Sequence, residues 1–406
     1  MEFKYVCNEC QKEFSSEKVV YTCPSCSTQK PNTFRKGNLR VMLEESYLKS
    51  LKDKKDLCVE DFYPYPPLSS EAFPVGPTSI VRPLKLGRSI GLDNLILKAD
   101  SQLLSGSYKD RASLLVAYQA LYHNERKIAL ASTGNAGAAM SCVGAAFDLD
   151  VILFVPENAP IGKLMQSVLY GATVVPIKGS YDDAFELSLY YSRRFGGINR
   201  NTGYNPMTVE GKKSLSIELY LQLKDEMPQI IYVPVGDGSI YSGVCKGLFD
   251  LKRAGLIEKI PYVVAVQSTS SNAIAQAFKT KEFFDVNATT RADSINVNSP
   301  ASGRMAVSYL QETKSWVSQV TDNQILDAQL ELAKESGVFV EPAAAAAWAA
   351  LKQEHKMLIE LFGNGVSVCV LLTGSGFKDM GVFDNRIKLP SSIENSKEAV
   401  DLLFSK

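Results

Sequence analysis

Ser105-Gly106-Ser107-Tyr108-Lys109-Asp110 lies between an extended run, Leu95-Ile96-Leu97-Lys98-Ala99, and a helical run from Ala112 to Leu121. That order puts Lys109 at the start of a helix, just past a sheet edge. A helix N-terminus carries partial positive charge and disfavours the ammonium form of a lysine placed there. Burial disfavours it further. A neutral amine is what Schiff-base chemistry requires. Read alone, the six residues also suit a solvated lysine in the first turn of an ordinary helix. The rest of the chain decides between the two.

After Pro77 strand-like and helix-like runs alternate. The strand-like runs are Lys127 to Ser132, Val151 to Val155, Thr173 to Pro176, Ile230 to Val235, Tyr262 to Val266 and Val366 to Leu372. Helix-like runs lie between them, for example Asp182 to Phe195 and Ser239 to Ala254. Such alternation predicts an α/β architecture of open parallel sheets with helices on both faces. Functional loops of these sheets lie just beyond strand ends, and three turns stand there. Ser132-Thr133-Gly134-Asn135 opens a small-residue helix whose free N–H groups suit a carboxylate. It also reads as a plain N-cap and tight turn. Gly236-Asp237-Gly238-Ser239-Ile240 follows a strand and can form a nest of N–H groups for a phosphate. An acid at Asp237 is unfavourable there unless it points away or is neutralised. Thr373-Gly374-Ser375-Gly376-Phe377-Lys378-Asp379 follows the final strand.

These segments, in this order, resemble the fold-type II pyridoxal-phosphate enzymes (tryptophan synthase β-like), and within them the threonine synthases. The lysine segment extended to Arg111 resembles the cofactor-lysine run. Ser132 to Asn135 is similar to a Ser-Ser-Gly-Asn-Thr loop, and Thr373 to Asp379 to Thr-Gly-His/Asn-Gly-Leu-Lys-Asp. Gly162-Lys163-Leu164-Met165-Gln166 with Tyr170-Gly171-Ala172, and Gly337 to Ala343 with its Glu341-Pro342, add to the match. Asn205-Pro206-Met207-Thr208-Val209-Glu210-Gly211-Lys212-Lys213 resembles Asn-Pro-x-Arg-x-Glu-Gly-Gln-Lys. The resemblance spans about residues 75 to 385.

The resemblance implies a lyase that uses pyridoxal 5′-phosphate to convert O-phosphohomoserine and water to threonine and phosphate. Lys109 would be the catalytic lysine that binds the cofactor. Asn135 would touch the ring oxygen and Thr373 the ring nitrogen. Gly236, Asp237, Gly238, Ser239 and Ile240 would form the phosphate loop. Ser132, Thr133, Gly134 and Asn135 would hold the substrate carboxylate. Residues that depart from the pattern include Ser375, Asp237 and Thr208. Asp237 stands where threonine synthases often have asparagine, and Thr208 stands where an arginine can meet the substrate phosphate. Lys212, Lys213, Lys163 or Arg111 are the candidates to replace that charge. The alternative reading is elimination or replacement at Cβ of serine, threonine or an O-activated serine. A third is a ribbon protein whose enzyme domain is a cofactor-free scaffold, against which Lys109, Asn135 and Thr373 argue.

Residues 1–36 form a unit of their own. Cys7-x-x-Cys10 and Cys23-x-x-Cys26 are separated by 12 residues, a spacing that closes a tetrahedral structural zinc site in a ribbon. A knuckle that has lost its metal is the other possibility. Cys58, Cys142, Cys245 and Cys369 read as buried small hydrophobes. The expected organisation is a zinc ribbon at 1–36 and a catalytic domain at 37–406, with a smaller mobile subdomain at about 125–203. A strap at Asp61-Phe62-Tyr63-Pro64-Tyr65-Pro66-Pro67 reads as extended.

Among 406 residues, 44 basic and 44 acidic side chains give no net charge. Nothing in that balance attracts nucleic acid or an acidic membrane. No apolar run approaches membrane-spanning length, and the N-terminus lacks a signal-peptide shape. The expectation is a cytoplasmic homodimer acting on a small amino-acid substrate. With two histidines only, His123 and His355, both expected at the surface, the chemistry falls to a lysine, a cofactor or carboxylates.

Overall fold

The computed structural model describes residues 2–27, 33–67, 73, 75–383 and 390–405. Three N-terminal strands, β1 (Phe3–Cys7), β2 (Glu13–Ser15) and β3 (Leu39–Leu43), form an antiparallel sheet in the order β2-β1-β3. Strict alternation buries Phe3, Tyr5 and Cys7 on one strand and Leu39, Val41 and Leu43 on the other. Because β3 begins after residue 36, this small sheet draws on residues beyond the ribbon's expected boundary.

The next two strands, β4 (Ile80–Val81) and β5 (Leu95–Lys98), open a larger sheet that the chain leaves before completing. It first forms β6 (Lys127–Ala131), β7 (Asp150–Pro156), β8 (Thr173–Ile177) and β9 (Ile198–Asn199), a parallel sheet of its own in the order β8-β7-β6-β9. It then returns through β10 (Ile230–Pro234), β11 (Tyr262–Ser268), β12 (Val317–Val320) and β13 (Val368–Leu371). The completed sheet runs β12-β11-β10-β13-β5-β4, parallel throughout except for β4. β10 and β13 are fully buried apolar runs, and β5 is buried throughout with Lys98 at its end, as suits strands covered on both faces. The alanine-rich helix Pro342–Phe362 packs on this sheet, with Ala343 to Ala350 buried.

Two groups of buried charges brace the fold, the first tying helices to the sheet through Lys98 and the second tying helices to one another. Arg111 grips Asp100 through Nε (2.6 Å) and Nη2 (3.1 Å) and lies 2.9 Å from Glu218. Lys98 bonds the same Glu218. Lys213 and Lys246 share Glu210 and Asp250.

The strap departs from expectation. It starts in a 3-10 turn, Val59–Phe62, and Phe62, Tyr63 and Tyr65 are buried in the core. His123 is half-buried against Tyr65, its Nε2 3.2 Å from the phenol oxygen, rather than free at the surface. His355 is also half-buried, with Nδ1 2.7 Å from the Lys352 carbonyl. Cys142, Cys245 and Cys369 are buried as expected. Cys58 is half-buried, its thiol 3.4 Å from the Asp61 carboxylate. No described helix is long and apolar enough to cross a membrane.

Candidate active site

The Ser105–Tyr108 loop is pinned on both sides before the helix Lys109–Tyr122 begins. Tyr108 N donates to the Thr373 carbonyl (2.8 Å), and Ser107 bridges Gly374. The Tyr108 hydroxyl donates to the Lys212 carbonyl (2.6 Å), and the Asp110 carboxylate accepts from Ser105 N (2.9 Å). Lys109 is the first residue of its helix, so its side chain starts from a fixed point between the ends of β5 and β13.

The glycine turn after β10 approaches its neighbours too closely for side chains. A Cβ on Gly236 would lie 2.9 Å from Ile295 Cα, and one on Gly238, whose φ is +84°, 2.9 Å from the Ser302 carbonyl oxygen. Here the helix Ser239–Arg253 starts. The first N–H groups of a helix have no partner within it; the one on Ser239 is taken by Asp237 Oδ1 at 2.8 Å.

Lys109, Asn135, Gly236, Asp237, Gly238, Ile240 and Thr373 line one narrow cleft of about 20 Å³. Ser239 opens the helix beside it but does not line it. Asn135, Ser294 and Glu341 belong also to an adjoining mouth of about 500 Å³. The carboxyl-terminal ends of the strands thus carry the hollow, as in other open α/β sheets. Of the expected carboxylate loop, Gly134 and Asn135 reach the mouth. Ser132 turns inward, its hydroxyl accepting from Gly137 N (3.0 Å) and Gly134 N (3.3 Å). Thr133 lines neither space.

Electrostatics within the cleft are distinctive. Burial works against the Asp237 carboxylate, but the Lys212 and Lys109 ammonium groups outweigh it and hold its pKa below the ordinary range. Burial raises that of Glu341, against the opposing pull of Asn135 and Lys109. The Asn135 amide donates to Glu341 Oε2 (2.9 Å) and Ser294 Oγ (3.1 Å).

The replacement cations separate clearly. Arg111 and Lys213 are committed to the buried carboxylates described above. Lys212 is buried against Gly243 of the helix that follows the glycine turn and lines neither space. Lys163 stands at the mouth, 2.8 Å from Asp293. Lys378 also lines the mouth, donating to the Ser105 carbonyl (2.8 Å) and to Gln166 Oε1 (2.5 Å). Thr208 lines neither space; its buried hydroxyl donates to the Asn205 carbonyl (2.7 Å) and accepts from Gly203 N (3.3 Å). Sequence reasoning missed Ser294 and Tyr241 in the cleft and Lys378 as a mouth cation. The position of Lys378 in the Thr373–Asp379 run was the available signal.

At the N-terminus the sulfur atoms of Cys7, Cys10, Cys23 and Cys26 all lie within 4.8 Å of one another, with Cys10 and Cys23 3.7 Å apart. Tetrahedral zinc at ~2.3 Å from each sulfur spaces its ligands by about 3.8 Å.

The family model for pyridoxal-phosphate dependent enzymes matches residues 72–374. The threonine synthase of Methanosarcina acetivorans is 29% identical, over 98% of each chain. That of Mycobacterium tuberculosis (strain H37Rv) is 30% identical over 75% of this chain and 82% of its own, and that of Halalkalibacterium halodurans 32% over 73% and 81%. Among solved structures, maize serine racemase superposes with a TM-score of 0.65 at 19% identity, covering 75% of this chain and 90% of its own. The processed threonine deaminase isoform 2 of Solanum lycopersicum gives 0.64 at 18%, covering 73% and 79%. At that identity the superpositions establish the shared fold. The family match over most of the chain and the threonine synthase relatives settle the kinship: the chain belongs to the pyridoxal-phosphate-dependent enzyme family, in the branch that holds the threonine synthases.

Proposed function

We propose that this protein is a threonine synthase, converting O-phosphohomoserine and water to threonine and phosphate. The carrying observation is the convergence of Lys109, Asn135, the glycine turn and Thr373 on one cleft at the strand ends. The residues fit pyridoxal 5′-phosphate: Lys109 to hold its aldehyde carbon, Gly236 to Ile240 its phosphate, Asn135 its ring oxygen and Thr373 its ring nitrogen. When bound, the cofactor supplies an electron sink for negative charge developed at the substrate Cα.

The chain does the rest. Lys109 Nζ, freed when the substrate amine takes its place, is the base positioned to move the Cα and Cβ protons. Phosphate leaves from Cγ. The hydroxyl of water adds at Cβ, and Cγ gains a proton. Thr373 offers a hydroxyl, not a carboxylate, which restrains the ring's electron demand. Gly134 and Asn135, at the mouth, are placed to orient the substrate carboxylate, with Ser132 bracing their loop. Lys163 and Lys378 are the mouth cations available to the leaving phosphate. The β6–β9 sheet serves as the smaller subdomain and closes on the substrate to exclude water. The four N-terminal cysteines hold one structural zinc.

Thr208, buried away from the cleft, favours a second reading: β-elimination or β-replacement on serine, threonine or an O-activated serine, which needs no phosphate clamp. Both readings predict absorbance at the visible edge of the ultraviolet with added cofactor, and borohydride fixing it to a peptide containing Lys109. A substrate panel read for phosphate, ammonia and amino acids then divides them. Phosphate and threonine from O-phosphohomoserine support the first. Keto acid and ammonia from serine or threonine, with no phosphate release, reject it. A wild-type protein that forms no adduct at Lys109 rejects both.

A further inference from the structure

Lys212 and Asp237 are two departures carried by packed elements: the turn that holds Lys212 lies on the helix that opens two residues after Asp237. The threonine synthase pattern has neutral amides at both positions, glutamine at the first and often asparagine at the second; this chain has a cation and an acid. Lys212 sits in the 3-10 turn Gly211–Lys213, wedged between the helix of Lys109 and the helix opened by the glycine turn. A Cβ on Gly243 would lie 2.5 Å from Lys212 Cβ, and the Tyr108 hydroxyl fixes the Lys212 carbonyl from the other side.

The Lys212 side chain is fully buried, its Nζ has no hydrogen-bond partner among the described residues, and burial holds its pKa well below the ordinary lysine range against the pull of Asp237. Its neighbour Lys213 has two carboxylates, Glu210 and Asp250. The charged groups acting on Lys212 are Asp237, Lys109 and Arg200. Arg200 repeats the pattern: fully buried, Nε unpartnered, its Nη atoms bonded to the hydroxyls of Thr202 (2.6 Å) and Ser113 (3.3 Å), with Asp237 the foremost carboxylate acting on it. A buried cation without a partner is costly, and here it lies beside the nest that suits a phosphate. Asp237 alone would repel that phosphate. The arrangement makes sense when all three charges are present together.

We propose that Lys212 serves the cofactor's phosphate from below, carrying its charge when the phosphate is seated and offsetting Asp237 there. This rests on the cofactor assignment to Lys109. It assigns Lys212 to the cofactor's phosphate, not the substrate's, because its turn packs on the helix that opens at the glycine turn, whereas Lys163 and Lys378 stand at the mouth.

The test is a double-mutant cycle on the full chain: wild type, K212Q, D237N and the double variant. Each is titrated with pyridoxal 5′-phosphate and, separately, with pyridoxal, following cofactor absorbance. Thermal unfolding of each cofactor-free protein reports folding. K212Q should weaken pyridoxal 5′-phosphate binding roughly tenfold or more while moving pyridoxal by less than about twofold, a coupling of the size seen between contacting charges. D237N should bind the phosphorylated cofactor at least as tightly as wild type, and adding it to K212Q should restore affinity. K212Q without cofactor should melt no lower than wild type, since the buried Lys212 amine makes no hydrogen bond that the change would lose. Equal losses for both cofactors, or additive effects in the double variant, overturn the proposal. So does unchanged cofactor affinity with a raised KM for O-phosphohomoserine, which would give Lys212 to the substrate. If the wild type binds no cofactor at Lys109, the underlying assignment fails instead, and that outcome is distinct.

Discussion

Arg111 carries the sharpest quantitative expectation. It follows Lys109 by two residues, and on sequence it is a candidate for the substrate phosphate. The structure spends its guanidinium elsewhere: three nitrogens meet Asp100, Glu218 and Ser214 within 3.1 Å, and Arg111, Asp100 and Glu218 are all at most 2% exposed. With Lys98, the group is two cations against two carboxylates. Arg111→Met removes one cation and leaves Asp100 with the Thr78 hydroxyl at 2.7 Å as its remaining side-chain donor. Breaking a buried pair from one side costs about 3–5 kcal/mol, a large share of a typical domain's stability. Arg111→Lys keeps the charge, loses the fork, and should cost less. The loss should depend on pH. Burial alone would raise the Glu218 pKa, but Arg111 and Lys98 overcome this and hold it below the usual value. A depressed folded pKa adds stability above the unfolded pKa, and that stability is lost as pH falls through the folded value. The gap between wild type and Arg111→Met should therefore be widest near neutrality and narrow as pH falls into the carboxylate range. Urea unfolding of the cofactor-free proteins, followed by circular dichroism at several pH values, measures it. A loss under ~1 kcal/mol, joined to a raised KM for O-phosphohomoserine, would refute the structural role.

Two further expectations concern the ribbon and Thr208. Metal analysis under non-chelating conditions should give one zinc per chain, and Cys23→Ser should release it and destabilise the first sheet while the cofactor spectrum persists; a metal-free protein with an ordered N-terminus would contradict the assignment. Thr208→Arg forces a long cation into a fully buried position with no carboxylate bonded there, so it should destabilise by about 3 kcal/mol or more, since overpacking and charge burial add; tighter binding of O-phosphohomoserine at unchanged melting temperature would show instead that this position faces the substrate.

The elements that local pattern governs were legible. Buried apolar strands such as Ile230–Pro234 are bounded by turn chemistry within a few residues, and the glycine turn and Lys109 follow from strand-then-helix order. β12 was missed because Val317-Ser318-Gln319-Val320 is a half-polar edge strand recognised by its pairing with β11. The buried course of Tyr63 and Tyr65 was missed for a related reason. Proline predicts an extended strap but not the surface that receives it. The candidate cations show the same limit. Lys212 and Lys213 are adjacent in sequence, yet one meets two carboxylates and the other none, a difference set by the distant Asp250.

The excursion of the chain between its two catalytic sheets has a temporal consequence. β5 pairs with β13, Leu95 opposite Val368, so the central sheet waits for a strand made about 270 residues later, many seconds at ribosomal speed. The β6–β9 sheet closes from contiguous chain and need not wait. Tyr108 N bonds the Thr373 carbonyl, and Ser107 bridges Gly374, so the cleft wall beside Lys109 joins the chain that follows the early strand β5 to the chain that follows the last strand, β13. A nascent chain lacking β13 has Lys109 but not the Thr373–Gly374 wall that pins its loop. With Lys109 in the role proposed for it, cofactor capture would wait until the sheet is complete.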